Sequence, residues 1–262
     1  MADLPDSFLT RPIAHRALHD RSRHRIENSR AAVSAAIAAG YGIEIDLQLS
    51  ADGEAMVFHD DTLDRLTPEA GPVTQRSTAE LTRIPLTDSS ETIPRFAEIL
   101  SLVAGRVPLL VEIKDQTGCL GPDTGALEAR AAALLGAYQG PVALMSFNPH
   151  AVAALAEAAP SRPRGLTTCR FTPQDWPGTD RARCDDLTAI ADFDRVGACF
   201  ISHHHAALDT PPVARLQSRG VPILCWTIRS RAEEKAARRI AANITFESYA
   251  AAIDLAAPAP KS

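Results

Sequence analysis

Short apolar runs alternate along the chain with longer stretches in which alanine and leucine recur at helical spacing. This is the pattern of repeated βα units that build a parallel sheet. Strands are predicted at residues 12–15, 42–49, 109–113, 142–146, 165–168, 199–202, 221–228 and 243–246. Each is followed by a predicted helix, at 29–39, 95–103, 125–137, 149–158, 185–193, 212–219, 231–241 and 249–255. Eight such units closing on themselves make a TIM (β/α)8 barrel, and 262 residues suit one such domain. The alternative, an open doubly wound sheet, usually carries a glycine-rich phosphate loop after its first strand, and none stands there.

Residues 55–94 are too long for a simple connection and are read as a small insertion over the barrel mouth. It opens with an extra strand-like run at 55–59, and Pro68, Gly71, Pro72, Pro85, Asp88, Ser89 and Ser90 then break it into turns. A short helix is expected at 78–82, capped by Thr78, and a loose tail from Pro258.

Composition narrows the function. A net charge of −5, with no basic run, offers nucleic acid or an anionic membrane no long-range attraction. No stretch is apolar enough to span a bilayer, so no stable membrane anchoring is expected. The first residues carry no signal-peptide pattern, and a cytoplasmic location is the expectation. Five scattered cysteines, none in a CxxC pair, are read as small buried residues rather than disulfides or zinc ligands. Nothing in the sequence speaks to oligomeric state.

Chemistry concentrates at predicted strand ends. In Ile43-Glu44-Ile45-Asp46-Leu47-Gln48-Leu49 apolar and polar residues alternate, so a strand puts Glu44, Asp46 and Gln48 on one face. A solvated polar face is the bland explanation for one such strand, but Val111-Glu112-Ile113-Lys114 repeats the pattern on the next barrel strand. An ion pair between Glu112 and Lys114 is the structural alternative there. Three carboxylates without cysteine make a hard oxygen site, suited to a divalent cation such as Mg²⁺ or Ca²⁺. His15 and His59 each end a strand-like run, as an acid and base pair would. Arg16 supplies a planar fork for phosphate oxygens, and Lys114 a second cation.

Ala14-His15-Arg16, Glu27-Asn28, Glu44-Ile45-Asp46, Asp52-Gly53, His59-Asp60, Glu112-Ile113-Lys114, Ser146-Phe147 and Trp226-Thr227-Ile228 stand in the order and spacing of the glycerophosphodiester phosphodiesterases. The chain resembles that family from about Ile13 to Phe246. The resemblance implies a TIM barrel, a divalent cation, and hydrolysis of a small-molecule glycerophosphodiester to glycerol 3-phosphate and an alcohol. It assigns His15 and His59 to acid–base work, Arg16 and Lys114 to phosphate, and Glu44, Asp46 and Glu112 to the metal. Trp226 would wall the glycerol pocket, or else serve packing alone. Glu27 stands either beside metal and substrate or as a residue leading into a helix, next to a capping Asn28. Three positions depart from the family: Ala17 replaces a usual glycine, Arg229 a common asparagine, and Glu247 stands near a usual aspartate. They bear on substrate choice more than on reaction type.

His203, His204 and His205 are read as a polar mouth loop, since adjacent residues point apart and seldom share one ion. Asp60-Asp61 is read as a solvated turn or a partner of His59. Two other functions are weighed. A cyclising lipid-headgroup phospholipase on the same barrel would call for an exposed apolar or basic rim, and a non-catalytic phosphodiester-binding barrel would be favoured by loss of a histidine or carboxylate.

Overall fold

The computed structural model describes residues 2–253. Eight parallel strands close into a barrel: β1 (Ile13–Ala14), β2 (Gly42–Leu49), β4 (Leu109–Ile113), β5 (Val142–Ser146), β6 (Arg164–Thr168), β7 (Phe200–His204), β8 (Ile223–Ile228) and β9 (Asn243–Phe246). Closure falls on β1, which pairs Ile13 with Gly42 on one side and Ala14 with Phe246 on the other. A short antiparallel strand, β3 (Ala55–Val57), returns beside the upper part of β2.

The alternation read in β2 has its expected consequence. Ile43, Ile45 and Leu47 join the large core between sheet and helices, which leaves Glu44 and Asp46 for the barrel interior. The helices that cover the sheet include α2 (Arg30–Ala39), α4 (Phe96–Val103), α5 (Ala126–Leu135) and α6 (Pro149–Ala158). Below the carboxylates the barrel is filled by Leu110, Ala143, Met145, Phe200 and Leu224. A short N-terminal helix, α1 (Ser7–Thr10), which the sequence pattern did not predict, adds Phe8 to that cluster. Asn243 holds it there by donating Nδ2 to the carbonyls of Phe8 and Arg11 at 2.7 and 2.6 Å. Gly165 leaves room for the Phe200 ring, because a Cβ there would lie 2.6 Å from it.

Several predicted elements move. Helix α7 spans Arg181–Thr188 rather than 185–193, because the Asp180 side chain caps it by accepting from the Arg183 amide. The small helix α3 (Thr78–Leu81) is capped by Ser77, not Thr78, in a reciprocal capping box with Glu80. Helices α8 (Pro211–Ser218) and α9 (Arg231–Ala237) follow, the latter ending before the predicted 241. Tyr249–Ile253 is not helical, although 249–255 were predicted so; Asp254, Leu255 and the tail from Pro258 lie outside the described residues. Tertiary bonds hold this segment instead: Tyr249 donates to Glu234 at 2.9 Å, and Tyr41 donates to the Ala251 carbonyl at 2.7 Å. Within the insertion, Phe58, Leu63, Leu66, Val73, Leu81, Ile84 and Ile93 form a cluster of their own with Met56 and Ile26. That packing fixes the segment carrying His59 beside the mouth.

The three adjacent histidines are not a polar loop. Strand β7 continues through His204, and His203 is 2 % exposed. Its Nδ1 lies 2.8 Å from Thr168 Oγ1 and its Nε2 3.1 Å from the Ala207 carbonyl. The ring is therefore a neutral donor–acceptor link. Burial pushes its pKa down to about 4, and the bond to Ala207 offsets only part of that. The unfolded chain then binds this proton about 2.5 units of pH before the folded one does. Stability should accordingly fall as pH drops from about 6.5 toward 4, by roughly 3 kcal/mol from this group. Urea unfolding of the wild type and of His203→Gln at pH 7.5 and 4.5 checks this. The loss should be smaller in the variant, and equal losses would remove His203 as the cause.

Candidate functional site

The register of β2 against β4 brings the carboxylates together. Asp46 and Glu112 are Cα partners on adjacent strands, and Glu44 precedes Asp46 on the same face. Carboxylate oxygens of Glu44, Asp46 and Glu112 lie within 4.8 Å of one another, all buried. Burial first, and then the charges of Asp46 and Glu112, push the Glu44 carboxyl well above its ordinary range. For Asp46, burial acts the same way, but His59, Lys114 and Arg16 outweigh it and hold the carboxyl down. A compact, buried, all-oxygen donor set fits a hard divalent cation.

Cations flank this cluster. Lys114 Nζ lies 3.0 Å from Glu112 Oε1 and 3.8 Å from Asp46 Oδ1, and these charges hold it protonated despite burial. The backbone turns sharply after β1, with Arg16 and Ala17 both in the left-handed region at φ 49° and 65°. That turn aims the Arg16 amide at Glu44 Oε2 (2.7 Å) and its guanidinium toward Asp46, with Nε at 3.8 Å from Oδ2. It also explains why glycine suits position 17, since glycine adopts a positive φ without the cost a side chain incurs.

The two histidines occupy different environments. His15 Nδ1 lies 2.6 Å from Glu247 Oε2, while the other oxygen of Glu247 accepts from Arg229 Nε at 2.7 Å. Burial lowers the His15 pKa, and the bond to Glu247 only partly restores it. His15 is thus neutral near pH 7, with Nδ1–H donating to the Glu247 carboxylate and its Nε2 lone pair unclaimed. His19, which sequence reasoning overlooked, lies close by, its Nε2 3.6 Å from Glu247 Oε2. His59 Nδ1 lies 2.7 Å from Asp60 Oδ1, and its Nε2 3.3 Å from Lys114 Nζ. Asp60 is therefore the partner of His59.

His15, Arg16, Glu44, Asp46, His59, Glu112, Lys114 and Trp226 all line one cavity of about 140 Å³ at the mouth. Met145, Phe147, Thr167, Thr227, Arg229 and Thr245 complete its wall. A register shift in β8 between Cys225 and Ile228 accompanies the placement of Trp226, whose indole Nε1 donates to the Ser202 carbonyl at 2.9 Å. Glu27 does not line this cavity. Its carboxylate accepts from Arg16 at 2.7 Å and from Arg65 through both oxygens, at 2.7 and 2.9 Å. Nor is Asn28 a helix cap, a role that falls to Ser29. Asn28 instead donates Nδ2 to Asp46 Oδ2 at 2.9 Å and accepts from the Asp46 amide at 3.2 Å.

Arg65 is the other residue that sequence reasoning did not reach. It donates to Asp60 at 2.6 and 2.9 Å as well as to Glu27. A continuous chain of charged bonds therefore runs Arg16–Glu27–Arg65–Asp60–His59 across the mouth. Arg65 lies 38 residues from Glu27 in an insertion with no periodic signal, so only its tertiary position marks it.

The profile described as the Glycerophosphoryl diester phosphodiesterase family matches residues 15–245. The Bacillus subtilis protein YhdW is 26% identical over 228 residues, covering 84% of this chain and 86% of its own. A glycerophosphodiester phosphodiesterase of Caldanaerobacter subterraneus is 34% identical over 113 residues, 40% of this chain and 45% of that protein. Among solved structures, an Oleispira antarctica phosphodiesterase in complex with its product sn-glycerol-3-phosphate superposes with a TM-score of 0.75. It is 24% identical and covers 92% of this chain and 94% of that one, a likeness of fold.

Proposed function

Because the chain belongs to the glycerophosphoryl diester phosphodiesterase family, we propose that it hydrolyses glycerophosphodiesters to glycerol 3-phosphate and an alcohol, with a divalent cation and two histidines. The observation that carries this reading is the convergence of both histidines, three buried carboxylates, Arg16 and Lys114 on one cavity. Those are the parts that cleavage of a phosphodiester requires: charge neutralisation, an activated oxygen and a protonated leaving oxygen.

Glu44, Asp46 and Glu112 would hold the cation, which when bound supplies Lewis-acid neutralisation of the phosphate charge. Arg16 grips phosphate oxygens through its planar guanidinium, held in orientation by Glu27. Lys114, which follows β4, adds a point charge for the phosphate oxygens beside His59 Nε2. His15 takes the proton of the substrate's own glycerol hydroxyl on Nε2, its tautomer set by Glu247. That hydroxyl attacks the neighbouring phosphorus, forming a cyclic phosphate, and the P–O bond to the alcohol breaks. His59, oriented by Asp60, delivers a proton from Nε2 to the departing oxygen. In the second step the two exchange roles as water opens the ring. An intramolecular nucleophile has the proximity advantage that free water lacks.

The test is a panel of glycerophosphodiesters, coupled to detection of glycerol 3-phosphate, with and without chelator. Release from at least one member that stops on chelation is expected; no release from any would overturn the reading. Arg65→Gln should lower kcat by about tenfold or more, since both His59 and Arg16 lose an indirect tether. Arg65→Lys should not rescue it, because one ammonium cannot bridge two carboxylates bidentately. Steady-state kinetics beside thermal unfolding check this, and wild-type kcat in Arg65→Gln would make the chain of bonds incidental.

A further inference from the structure

A second cavity, of about 490 Å³, adjoins the first and shares Phe147 and Trp226 with it. The far wall includes Trp176, so both tryptophans of the chain face this one space. Phe147 stands at the centre of the cluster, its ring 5.4 Å from Trp226 and 5.3 Å from Trp176. His204 extends the wall at 5.1 Å from Trp226. All four rings are only partly buried, although only 5% of the chain is aromatic. Burial pushes the Cys169 thiol up to about 12, so this residue too faces the cavity as an apolar group. Half-exposed rings gathered beside a reaction centre are surface that a ligand can cover.

We propose that this cavity is a subsite for an apolar group carried by the phosphodiester. This rests on the proposed hydrolysis of glycerophosphodiesters. The occupant follows from three observations. The cavity shares Phe147 and Trp226 with the catalytic cavity, so a group carried by a phosphodiester held there has this wall within reach. Phe147 meets Trp226 edge to face and Trp176 at a tilt, so the rings pack on one another as a wall rather than closing round a small cation, and the volume is that of a pocket for a drug-sized apolar body. Arg170 also lines the cavity and opposes a positively charged group, while Asp175, its acid, is exposed and already accepts from Thr172 at 2.6 Å. An apolar alcohol on the phosphate and an acyl chain on the glycerol both present this chemistry, and different substrates distinguish them.

The experiment compares kcat/KM for four diesters: glycerophosphoethanolamine, glycerophosphocholine, the phenethyl glycerophosphodiester and octanoyl lysophosphatidylethanolamine. Wild type should favour one of the last two by about tenfold or more over glycerophosphoethanolamine, the range that a modest apolar contact supplies. Trp176→Ala removes part of the wall, and Ala206→Phe fills the cavity from its exposed rim. Both should abolish the preference and leave glycerophosphoethanolamine turnover within about twofold. Equal rates for polar and apolar diesters, or a preference untouched by both variants, would overturn the proposal. So would a preference for the choline diester that these variants remove. Failure of the proposed hydrolysis would show separately, as no turnover of any diester. The subsite is then still decided by binding of the uncleavable octylphosphonate of glycerol. Tryptophan emission, which arises only from Trp176 and Trp226, should shift to the blue in wild type and not in Ala206→Phe; an unchanged wild-type spectrum overturns the subsite.

Discussion

Replacing His15 or His59 by alanine is expected to lower turnover by on the order of a hundred- to ten-thousand-fold in each case, with the fold intact. The two rings lie on different segments, one after β1 and one after β3, yet both line the cavity that holds the carboxylates. Each has one nitrogen committed to its own acid, His15 to Glu247 and His59 to Asp60. That division leaves Nε2 of each ring on the cavity side, His59 Nε2 beside Lys114 Nζ, which is the arrangement that two-step acid–base exchange requires. Since both act on the same proton inventory, the double variant should lose far less than the product of the single losses. A multiplicative loss would mean that the rings serve separate steps. The environments also give them different labels. A neutral His15, its pKa lowered by burial, is ready to accept a proton in the first step. A substrate whose glycerol hydroxyl next to the phosphate is methylated tests the route itself. Hydrolysis of that analogue at the parent rate would replace the cyclic path by direct attack of water, and leave the histidine assignments standing.

The fold was legible where strand signals were bounded by chain-turning residues. The predicted bounds of β2, β4, β5 and β9 agree with the structure, and Pro108 and Pro141 mark two of the starts. Helix starts were less legible where two acceptable caps lay within a few residues. Asp180 prevailed at α7 and Ser77 at α3, through bonds that propensity alone does not rank. The segment at 249–253 was misread because its alanines suit a helix, while tertiary hydrogen bonds to Tyr41 and Glu234 decide its path. For the site, period-two alternation was enough to aim Glu44, Asp46 and Glu112 inward, and the strand ends placed His15 and Lys114. The links between those residues were not legible. Asn28 reaches Asp46, Arg65 reaches Glu27 and Glu247 reaches His15 across 18, 38 and 232 residues, and no local pattern encodes such partners. His203 shows the same limit, since a run of three histidines resembles a surface loop until the strand is seen to continue through it.

Removal of divalent cations is expected to abolish turnover, and Mg²⁺ or Ca²⁺ to restore it. Among the described residues, three buried carboxylates meet two Arg or Lys side chains, Arg16 and Lys114, within 4 Å of any of them. With all three ionised, as ligation of a cation requires, one negative charge is left over in a buried site, and a phosphate group adds to it. Cation binding should therefore be measurable apart from activity, as a stabilisation of the folded chain. At a hundred times the dissociation constant the gain would be about 2.7 kcal/mol, provided the unfolded chain does not bind. Glu112→Gln and Glu44→Gln keep the shape and the hydrogen-bonding oxygen while removing a charge. Both should lose most of the cation-dependent stabilisation; without cation Glu44→Gln should unfold no earlier than the wild type, because repulsion among the carboxylates is relieved, whereas Glu112→Gln also gives up its ion pair with Lys114. Thermal unfolding of the three proteins in chelator and in excess Mg²⁺ or Ca²⁺ provides the comparison, with elemental analysis of the purified wild type beside it. A wild type that turns over fully in chelator, contains no metal and gains no stability from either ion would leave neutralisation of the phosphate to the cationic side chains of the cavity, Arg16 and Lys114 first among them.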